Sequence, residues 1–267
     1  MMGEVTWFSP IGWHLLVGAF GLAFGSFANV LIIRLRENTT LLGRSRCVHC
    51  QKTLKLHHLI PILSWIGLRG RCAFCRASIS WQYPIVEFLS CLFVLVAAAR
   101  HPFFTIGTWQ SLSFFLFEYF LTMQWLVLAV FDFRWRLVPV EYAIGSALVF
   151  GAGSLALGRV SWMMMLVGAL VGFSFLAFQA WVSRGRWLGW GDPWLGLLLG
   201  VVLGWPLIGV SLYATYVGGG VIALFLLGFG WTRRGARVPF GPFLMGGGVV
   251  ALWYGSSLLS WLATWWR

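Results

Sequence analysis

Charge is what this sequence has least of: only 10% of its 267 residues are charged, whereas 60% are apolar. A water-soluble domain of this length needs much more charged surface, so that class of fold is excluded. Apolar runs of about 20 residues recur along the chain, which is the pattern of a polytopic membrane protein. Strict alternation of apolar and polar residues is also lacking, so the runs favour helices over the strands of a membrane barrel.

We predict an all-α membrane protein with about eight transmembrane helices. The expected bounds are Ile11 to Ile33, Pro84 to Ala99, Leu112 to Phe131, Glu141 to Gly158, Trp162 to Val182, Trp194 to Val210, Tyr213 to Trp231 and Phe243 to Thr264. No basic segment precedes the first run, so we interpret that run as a retained helix rather than a cleaved signal peptide. The predicted organisation is a first transmembrane helix over 1–33, a cytoplasmic loop over 34–83 and a seven-helix bundle over 84–267.

Basic residues lie mostly on one side of these predicted spans. With the N-terminus outside, the segments 34–83, 132–140, 183–193 and 232–242 are cytoplasmic and hold 16 of the 19 Lys and Arg residues. The positive-inside rule therefore places these segments in the cytoplasm. Anionic lipid at that face is the natural partner of the net charge of +12, so the charge does not indicate nucleic-acid binding.

Cysteine is scarce, but four of the five cysteines form two CxxC pairs. Cys47 and Cys50 are the first pair, and Cys72 and Cys75 follow after 21 intervening residues. This is the spacing of a zinc ribbon, in which each pair supplies two thiolates to one tetrahedral ion. Two disulfides or a redox motif are the alternatives, and a reducing cytoplasm favours the metal. With few apolar residues to pack, the loop is expected to need zinc in order to fold.

Aspartate is scarcer still, with only two in the chain. Asp132 ends the third predicted span and Asp192 precedes the sixth, both at the cytoplasmic boundary. Each also has a purely structural interpretation, since Asp192 before Pro193 is a good helix N-cap and Asp132 can be a solvated helix end. Together they suit an aspartyl protease, in which one carboxylate activates water and the protonated other donates to the scissile carbonyl.

Two further pairs of residues are candidates for the site. Gly189 and Gly191 precede Asp192 in the sequence GWGD and allow close approach of the backbone. Spacing alone leaves open whether the two aspartates meet. Glu87 and Glu141 lie at cytoplasmic helix ends, where they are candidates to pair with arginines or to orient a substrate.

Several motifs occur together and in order: GSFANVLIIRL from Gly25, IPILSWIGLRGRCAFC from Ile60, ISWQYPIVE from Ile79, FDFRWRLVP from Phe131, GWGD from Gly189 and VPFGPFL from Val238. In these motifs the chain resembles the prepilin peptidases, the type IV leader peptidases among the GxGD membrane aspartyl proteases. The resemblance implies that Asp132 and Asp192 are a catalytic pair that cuts prepilins or pseudopilins after a glycine. It also implies N-methylation from S-adenosylmethionine, associated with the cysteine loop, in a bacterial inner-membrane protein of type IV pilus or type II secretion systems.

The sequence departs from the family pattern at three places and leaves other functions open. Val140 and Trp194 stand where the family often has an aspartate and a lysine, and His58-Leu59 replaces an expected asparagine. The residues that bind the methyl donor are unknown from the sequence. Two alternatives remain: a non-enzymatic membrane scaffold or transporter whose zinc loop recruits a partner, and an intramembrane aspartyl protease with other substrates.

Overall fold

The computed structural model describes residues 10–103, 107–230 and 238–265. Within these ranges the chain is built from α-helices, joined by turns, a short 3-10 helix (Leu56–Leu59) and two isolated β-bridges. The α-helices are α1 (Pro10–Glu37), α2 (Leu63–Gly67), α3 (Gln82–Arg100), α4 (Trp109–Trp135), α5 (Val140–Ala156), α6 (Trp162–Val182), α7 (Asp192–Leu203), α8 (Leu207–Gly228) and α9 (Gly241–Trp265).

The prediction of an all-α membrane protein is confirmed. Among the described residues, six helices are long and apolar enough to cross a membrane, namely α1, α3, α4, α6, α8 and α9. Helices α5 and α7 are apolar but shorter. The predicted count of eight spans is therefore not confirmed. The predicted end of the seventh span, Trp231, lies outside the described residues.

The chain divides into two compact units, and the boundary falls inside α4. Unit 1 is Met1–Met123 and contains α1 to α3 together with the cysteine segment. Unit 2 is Gln124–Arg267 and contains α5 to α9 with the end of α4.

In unit 1, small residues let α1 and α3 approach closely. A Cβ on Gly25 would lie 2.6 Å from the Cα of Glu87, and a Cβ on Gly21 would lie 3.0 Å from the carbonyl oxygen of Ser90. The Ser90 hydroxyl donates to the Gly21 carbonyl and lies 3.0 Å from the Tyr119 hydroxyl. Close backbone contact with hydrogen bonds between helices is how membrane helices hold together where water is absent.

A buried carboxylate in α4, Glu118, is paired with two basic groups at the end of α3. Arg100 Nε lies 2.8 Å from Glu118 Oε1, and His101 Nε2 lies 2.9 Å from Oε2. These two basic groups replace the stabilisation that water would give to the carboxylate. Glu118 precedes Asp132 by 14 residues on the same helix, which is about 21 Å, so the two acids are far apart.

Helix α7 lies at the centre of unit 2. Nine of its residues are buried, and it packs against α5, α6, α8 and α9. Against α6 the contact is made by two pairs of glycines: Gly168 faces Gly200, and Gly172 faces Gly196. A Cβ on any of the four would collide with the carbonyl oxygen of its partner. The two backbones therefore touch directly, as in other contacts between small residues four apart.

The structure corrects the predicted end of the sixth span. Helix α7 ends at Leu203 rather than Val210, and residues 207–210 already belong to α8. The cause is local, because Gly204 adopts a φ of +69°, which favours glycine and ends the helix, and Pro206 follows. The apolar run continues across this break, so hydropathy alone did not detect it.

Adding one methyl group at the contact between α6 and α7 is expected to destabilise unit 2. In Gly172→Ala the new Cβ meets the Gly196 carbonyl oxygen, so the helices must separate. We expect the free energy of unfolding to fall by about 1–3 kcal/mol, the usual cost of overpacking. Thermal unfolding in detergent, followed by circular dichroism, measures the change.

The matched control is Gly145→Ala in α5, where a new Cβ meets no atom within 4 Å. Alanine is favoured over glycine in a helix, so this variant should be at least as stable as the parent. Equal unfolding temperatures for the two variants would contradict direct backbone contact between α6 and α7.

Candidate active site and cysteine cluster

Asp132 lies near the C-terminal end of α4 and is buried, with 6% of its surface exposed. Its Oδ2 accepts the backbone N–H of Gly241, the first residue of α9, at 2.8 Å. A Cβ at position 241 would lie 2.7 Å from this oxygen, so only glycine lets the backbone come so near. The positive N-terminal end of α9 therefore faces the carboxylate.

Asp192 begins α7 and is as buried as Asp132. Its Oδ2 accepts the backbone N–H of Gly189 at 2.8 Å. The structure corrects the capping interpretation, because Gly191 occupies the N-cap position and Asp192 is the first helical residue. The carboxylate turns back toward the preceding loop instead of capping a helical N–H.

The chain segments that carry the two aspartates meet in unit 2. A Cβ on Gly191 would lie 2.7 Å from the Cβ of Val138, which follows α4 in the turn before α5. Val138 lies six residues after Asp132, and Gly191 directly precedes Asp192, so this contact brings both aspartates to the same part of unit 2. Gly189 contributes the N–H that binds Asp192. Gly191 contributes by having no side chain, which lets the backbone approach Val138. Two neighbouring buried carboxyl groups can supply an acid and a base to one reaction.

Two residues beside the aspartates were not predicted. Gly241 lies in the motif VPFGPFL, which contained the signal that could have identified it. Tyr216 of α8 donates its hydroxyl to Gln179 Oε1 at 2.7 Å, and its ring centroid lies 5.6 Å from that of Phe240. Phe240 directly precedes Gly241, whose N–H binds Asp132. No local pattern marks Tyr216, because only the packing of α8 brings it to this place.

The two glutamates that were predicted to orient a substrate have different surroundings. Glu87 is buried in unit 1, where it accepts the backbone N–H of Ile62 at 2.7 Å. Glu141 is exposed in the first turn of α5, in unit 2. A role in substrate binding stays a prediction for both.

The four paired cysteines converge in unit 1. The Sγ atoms of Cys47, Cys50, Cys72 and Cys75 all lie within 4.8 Å of one another, and those of Cys47 and Cys75 are 3.9 Å apart. Tetrahedral zinc with Zn–S bonds of about 2.3 Å requires sulfur atoms about 3.8 Å apart. The cluster could therefore hold a metal ion, and its four thiol donors fit zinc.

Each cysteine pair is presented by the same kind of turn. The backbone N–H of Cys47, like that of Cys72, donates to the carbonyl oxygen five residues later. The fourth residue after each of them has positive φ, Gln51 at 56° and Arg76 at 59°. A turn built twice in this way explains how two short segments each direct two thiols to one centre.

The surroundings of Cys72 favour its thiolate, the form in which cysteine binds metal. Hydrogen bonds from the backbone N–H groups of Cys75 and Phe74 lower the pKa of the Cys72 thiol to about 6. The basic neighbours in sequence are Arg46, Lys52, Arg71 and Arg76. His58 is not a member of the cluster, and its Nδ1 accepts the backbone N–H of Lys55 instead.

Known proteins match both the region that holds the cysteine cluster and the region that holds the two aspartates. Residues 19–101 match the bacterial peptidase A24 N-terminal domain, and residues 119–229 match the type IV leader peptidase family. The chain is 31% identical to the prepilin leader peptidase/N-methyltransferase of Stutzerimonas stutzeri, over 94% of this chain and 93% of the relative. It belongs to the type IV leader peptidase family.

Two other relatives of the same name extend the similarity. The one from Bacillus subtilis is 30% identical over 90% of this chain and 94% of its own length. The one from Myxococcus xanthus is 34% identical over 86% of this chain and 68% of its own length. No solved structure matches the chain. Both aspartates lie within the region that matches the leader peptidase family, and the four paired cysteines lie within the N-terminal domain match.

A double-mutant cycle should show that Gly241 and Asp132 depend on each other. In Gly241→Ala the added Cβ would lie 2.7 Å from Asp132 Oδ2, so the carboxylate must move and loses its N–H partner. We expect this variant to lose about 1–3 kcal/mol of stability. In an Asp132→Ala background the same change should cost much less, because the colliding oxygen is gone. Thermal unfolding of all four proteins measures the coupling.

The control is Gly246→Ala in the same helix, where the added methyl group meets no atom within 4 Å. It should show the same stability change in both backgrounds. A Gly241→Ala cost that is unaffected by removal of Asp132 would contradict the contact.

Proposed function

We propose that the chain is a membrane-embedded leader peptidase that cleaves prepilins or pseudopilins after a glycine and then N-methylates the new N-terminus. The observation that carries this proposal is the pair Asp132 and Asp192, two buried carboxylates in one unit, on chain segments that pack against each other. Each is held by a glycine N–H at 2.8 Å. Membership of the type IV leader peptidase family and the names of the relatives support the substrate class.

In the proposed reaction one aspartate is ionised and the other is protonated. The ionised carboxylate takes a proton from water while the water oxygen attacks the scissile carbonyl carbon, and the protonated partner donates its proton to the carbonyl oxygen. The carbon–nitrogen bond then breaks, and the amine leaves with a proton returned by the pair. The products are a leader with a carboxyl terminus and a pilin with a free N-terminal amine.

Burial and proximity suit the pair to this task. Two neighbouring buried carboxyl groups cannot both ionise easily, so they share one proton and titrate as a unit. The N–H groups of Gly189 and Gly241 fix one oxygen of each carboxyl group before a substrate arrives. Such fixed donors reduce the reorganisation that the reaction requires.

N-methylation follows chemically from cleavage, because methyl transfer needs the free amine that hydrolysis releases. The relatives' names include this activity. S-adenosylmethionine is the proposed donor, and it would supply an activated methyl group to the amine nitrogen.

We propose zinc as the ion of the cysteine cluster, held by Cys47, Cys50, Cys72 and Cys75. Four protein thiolates complete a tetrahedron and leave no open position for a substrate, so the ion is structural. It would hold together a segment in which few side chains are buried.

The distribution of Lys and Arg supports an orientation in which the cysteine segment and both aspartates face the cytoplasm. The protein is then a multi-pass component of the bacterial inner membrane, with anionic lipid beside its basic segments. Lipid accounts for the positive charge without a nucleic-acid partner.

The two aspartates are expected to act as one catalytic unit. Asp132→Asn and Asp192→Asn should each lower prepilin cleavage by about 10³-fold or more, and the double variant should lose little beyond either single one. The reason is that hydrolysis needs the base and the acid together. Cleavage of a purified prepilin in detergent, followed by mass spectrometry of the released leader, measures the loss.

The control is Glu37→Gln, which neutralises an exposed carboxylate at the end of α1 and should leave cleavage unchanged. Full activity in either aspartate variant would refute the catalytic assignment. A parent protein that leaves prepilins uncut but cleaves other membrane peptides would favour a different substrate class.

Metal analysis should find about one zinc ion per chain, bound by the four cysteines. Replacing Cys47 and Cys72 by serine should abolish this zinc and destabilise the segment from 38 to 81, because each pair loses one thiolate. Elemental analysis of protein purified under reducing conditions measures the content.

Cys91→Ser is the control, because Cys91 lies in α3 outside the cluster. The protein with this change should bind as much zinc as the parent protein. Disulfides without metal in the reduced parent protein would falsify the zinc site.

A further inference from the structure

The segment that carries the cysteines has an unusual surface. Residues 38–81 contain seven Lys or Arg and no Asp or Glu. Only Gly70 and Cys72 are buried in this segment, so it has almost no apolar core of its own. Its exposed large apolar side chains include Leu42, Leu56, Leu63, Ile66 and Trp81. A surface that is both strongly basic and apolar is complementary to a partner that has anionic groups outside and an apolar interior.

The start of the segment is tied to the end of a membrane helix. The guanidinium of Arg34, in the last turn of α1, donates to the carbonyl oxygens of Thr40 at 2.8 Å, Leu42 at 3.0 Å and Gly43 at 3.3 Å. These bonds fold the chain back onto α1. The exposed side chain of Leu42 is therefore held beside the helix end, not far out in solvent.

A second tie lies deeper, beside α3. Glu87 accepts the backbone N–H of Ile62 at 2.7 Å, and it lies five residues after Gln82, where α3 begins. Helix α3 has 19 residues and is about 28 Å long, so almost its whole length is needed to cross a hydrocarbon core of about 30 Å. The hydrogen bond therefore holds Ile62 beside the first turns of α3, at the end of that span where the cysteine segment joins it.

The backbone of Ile62 has an unusual conformation at the point where it binds Glu87. Ile62 has a φ of 59° and a ψ of −52°, a conformation that β-branched residues avoid. The hydrogen bond to Glu87 holds the chain there at the start of α2. Helix α2 therefore lies level with the first turns of α3.

Helix α2 has one covered side and one bare side. Trp65 packs on Trp81 with ring centroids 4.2 Å apart, and its Nε1–H donates to the Ile79 carbonyl oxygen. Leu63 and Ile66 are three residues apart, which places them on the same face of the helix, and they are 68% and 59% exposed. The bare side is apolar at a depth where lipid begins.

We propose that α2 lies in the headgroup region of the cytoplasmic leaflet, with Leu63 and Ile66 inserted among acyl chains and Lys55 and Arg69 bound to anionic headgroups. The inference rests on the orientation given under the proposed function and not on the peptidase activity. Depth and charge both favour lipid as the partner. Insertion of apolar side chains flanked by basic ones is a general way for a short segment to bind a membrane surface.

The test uses the full-length protein in nanodiscs, with the photoreactive amino acid p-benzoylphenylalanine at position 63. After irradiation, mass spectrometry should find a lipid adduct several-fold more abundant than with the same probe at position 65, whose side chain is covered by Trp81. Nanodiscs of phosphatidylcholine mixed with phosphatidylglycerol should give more adduct than phosphatidylcholine alone. In Lys55→Gln/Arg69→Gln this gain should disappear, while the adduct in phosphatidylcholine remains.

Adducts to another part of the chain or to a second copy, equal lipid adducts at positions 63 and 65, or no adduct in protein with normal helix content would each overturn the proposal. A membrane-impermeant lysine reagent applied to intact spheroplasts tests the orientation separately. Labelling of Lys52 or Lys55 from outside would refute the orientation, whereas protection from labelling without a lipid adduct would refute this inference alone. Prepilin cleavage by the same sample reports on the peptidase proposal independently.

Discussion

A carboxylate that leaves water must find hydrogen-bond donors, and in unit 2 backbone N–H groups supply them. Asp132 and Asp192 sit at opposite ends of their helices, α4 and α7, and each accepts one glycine N–H. Glycine is required at Gly241 because any side chain would strike Asp132, and at Gly191 because a side chain would strike Val138. The positions of both acids are thus set by where the backbone can approach.

Because of this constraint, the packing of the helices in unit 2 determines the position of a candidate catalytic group. Asp192 is the first residue of a short helix that is buried on nearly all sides. The position of that helix is fixed by direct backbone contact with α6 through Gly168 and Gly172. A long helix can shift along its neighbour without losing much contact, whereas interlocked glycine backbones allow little sliding. The same contacts that hold the bundle together therefore determine where one carboxylate lies relative to the other.

In unit 1 the segment from 38 to 81 has hardly any buried core, so other interactions must order it. Two equivalent turns bring four thiols together, and charged side chains of the membrane helices bind the segment near its start, at Thr40, and in its interior, at Ile62. Glu87 was predicted to pair with arginines or to orient a substrate, yet its carboxylate accepts the backbone N–H of Ile62. A buried acid can thus order a loop through a backbone N–H that reaches it.

Composition and spacing by themselves determined the class of the protein. The apolar runs specified helices because a chain in lipid must satisfy its own backbone hydrogen bonds, and the two CxxC pairs specified the thiol cluster because a tetrahedral site needs two close pairs. The position of each aspartate at a helix end was also readable, since the surrounding apolar runs stop there. These features are local, so sequence order is enough to define them.

Tertiary structure alone decided which groups meet these residues. Gly241 is 109 residues from Asp132, and Tyr216 is 24 residues from Asp192, so no helical or turn periodicity relates them. The end of α7 at Leu203 and the turning back of Asp192 toward Gly189 likewise depend on backbone conformations that hydropathy does not record. Contacts between helices depend on how the bundle packs, and packing is a property of all its surfaces together rather than of any one segment.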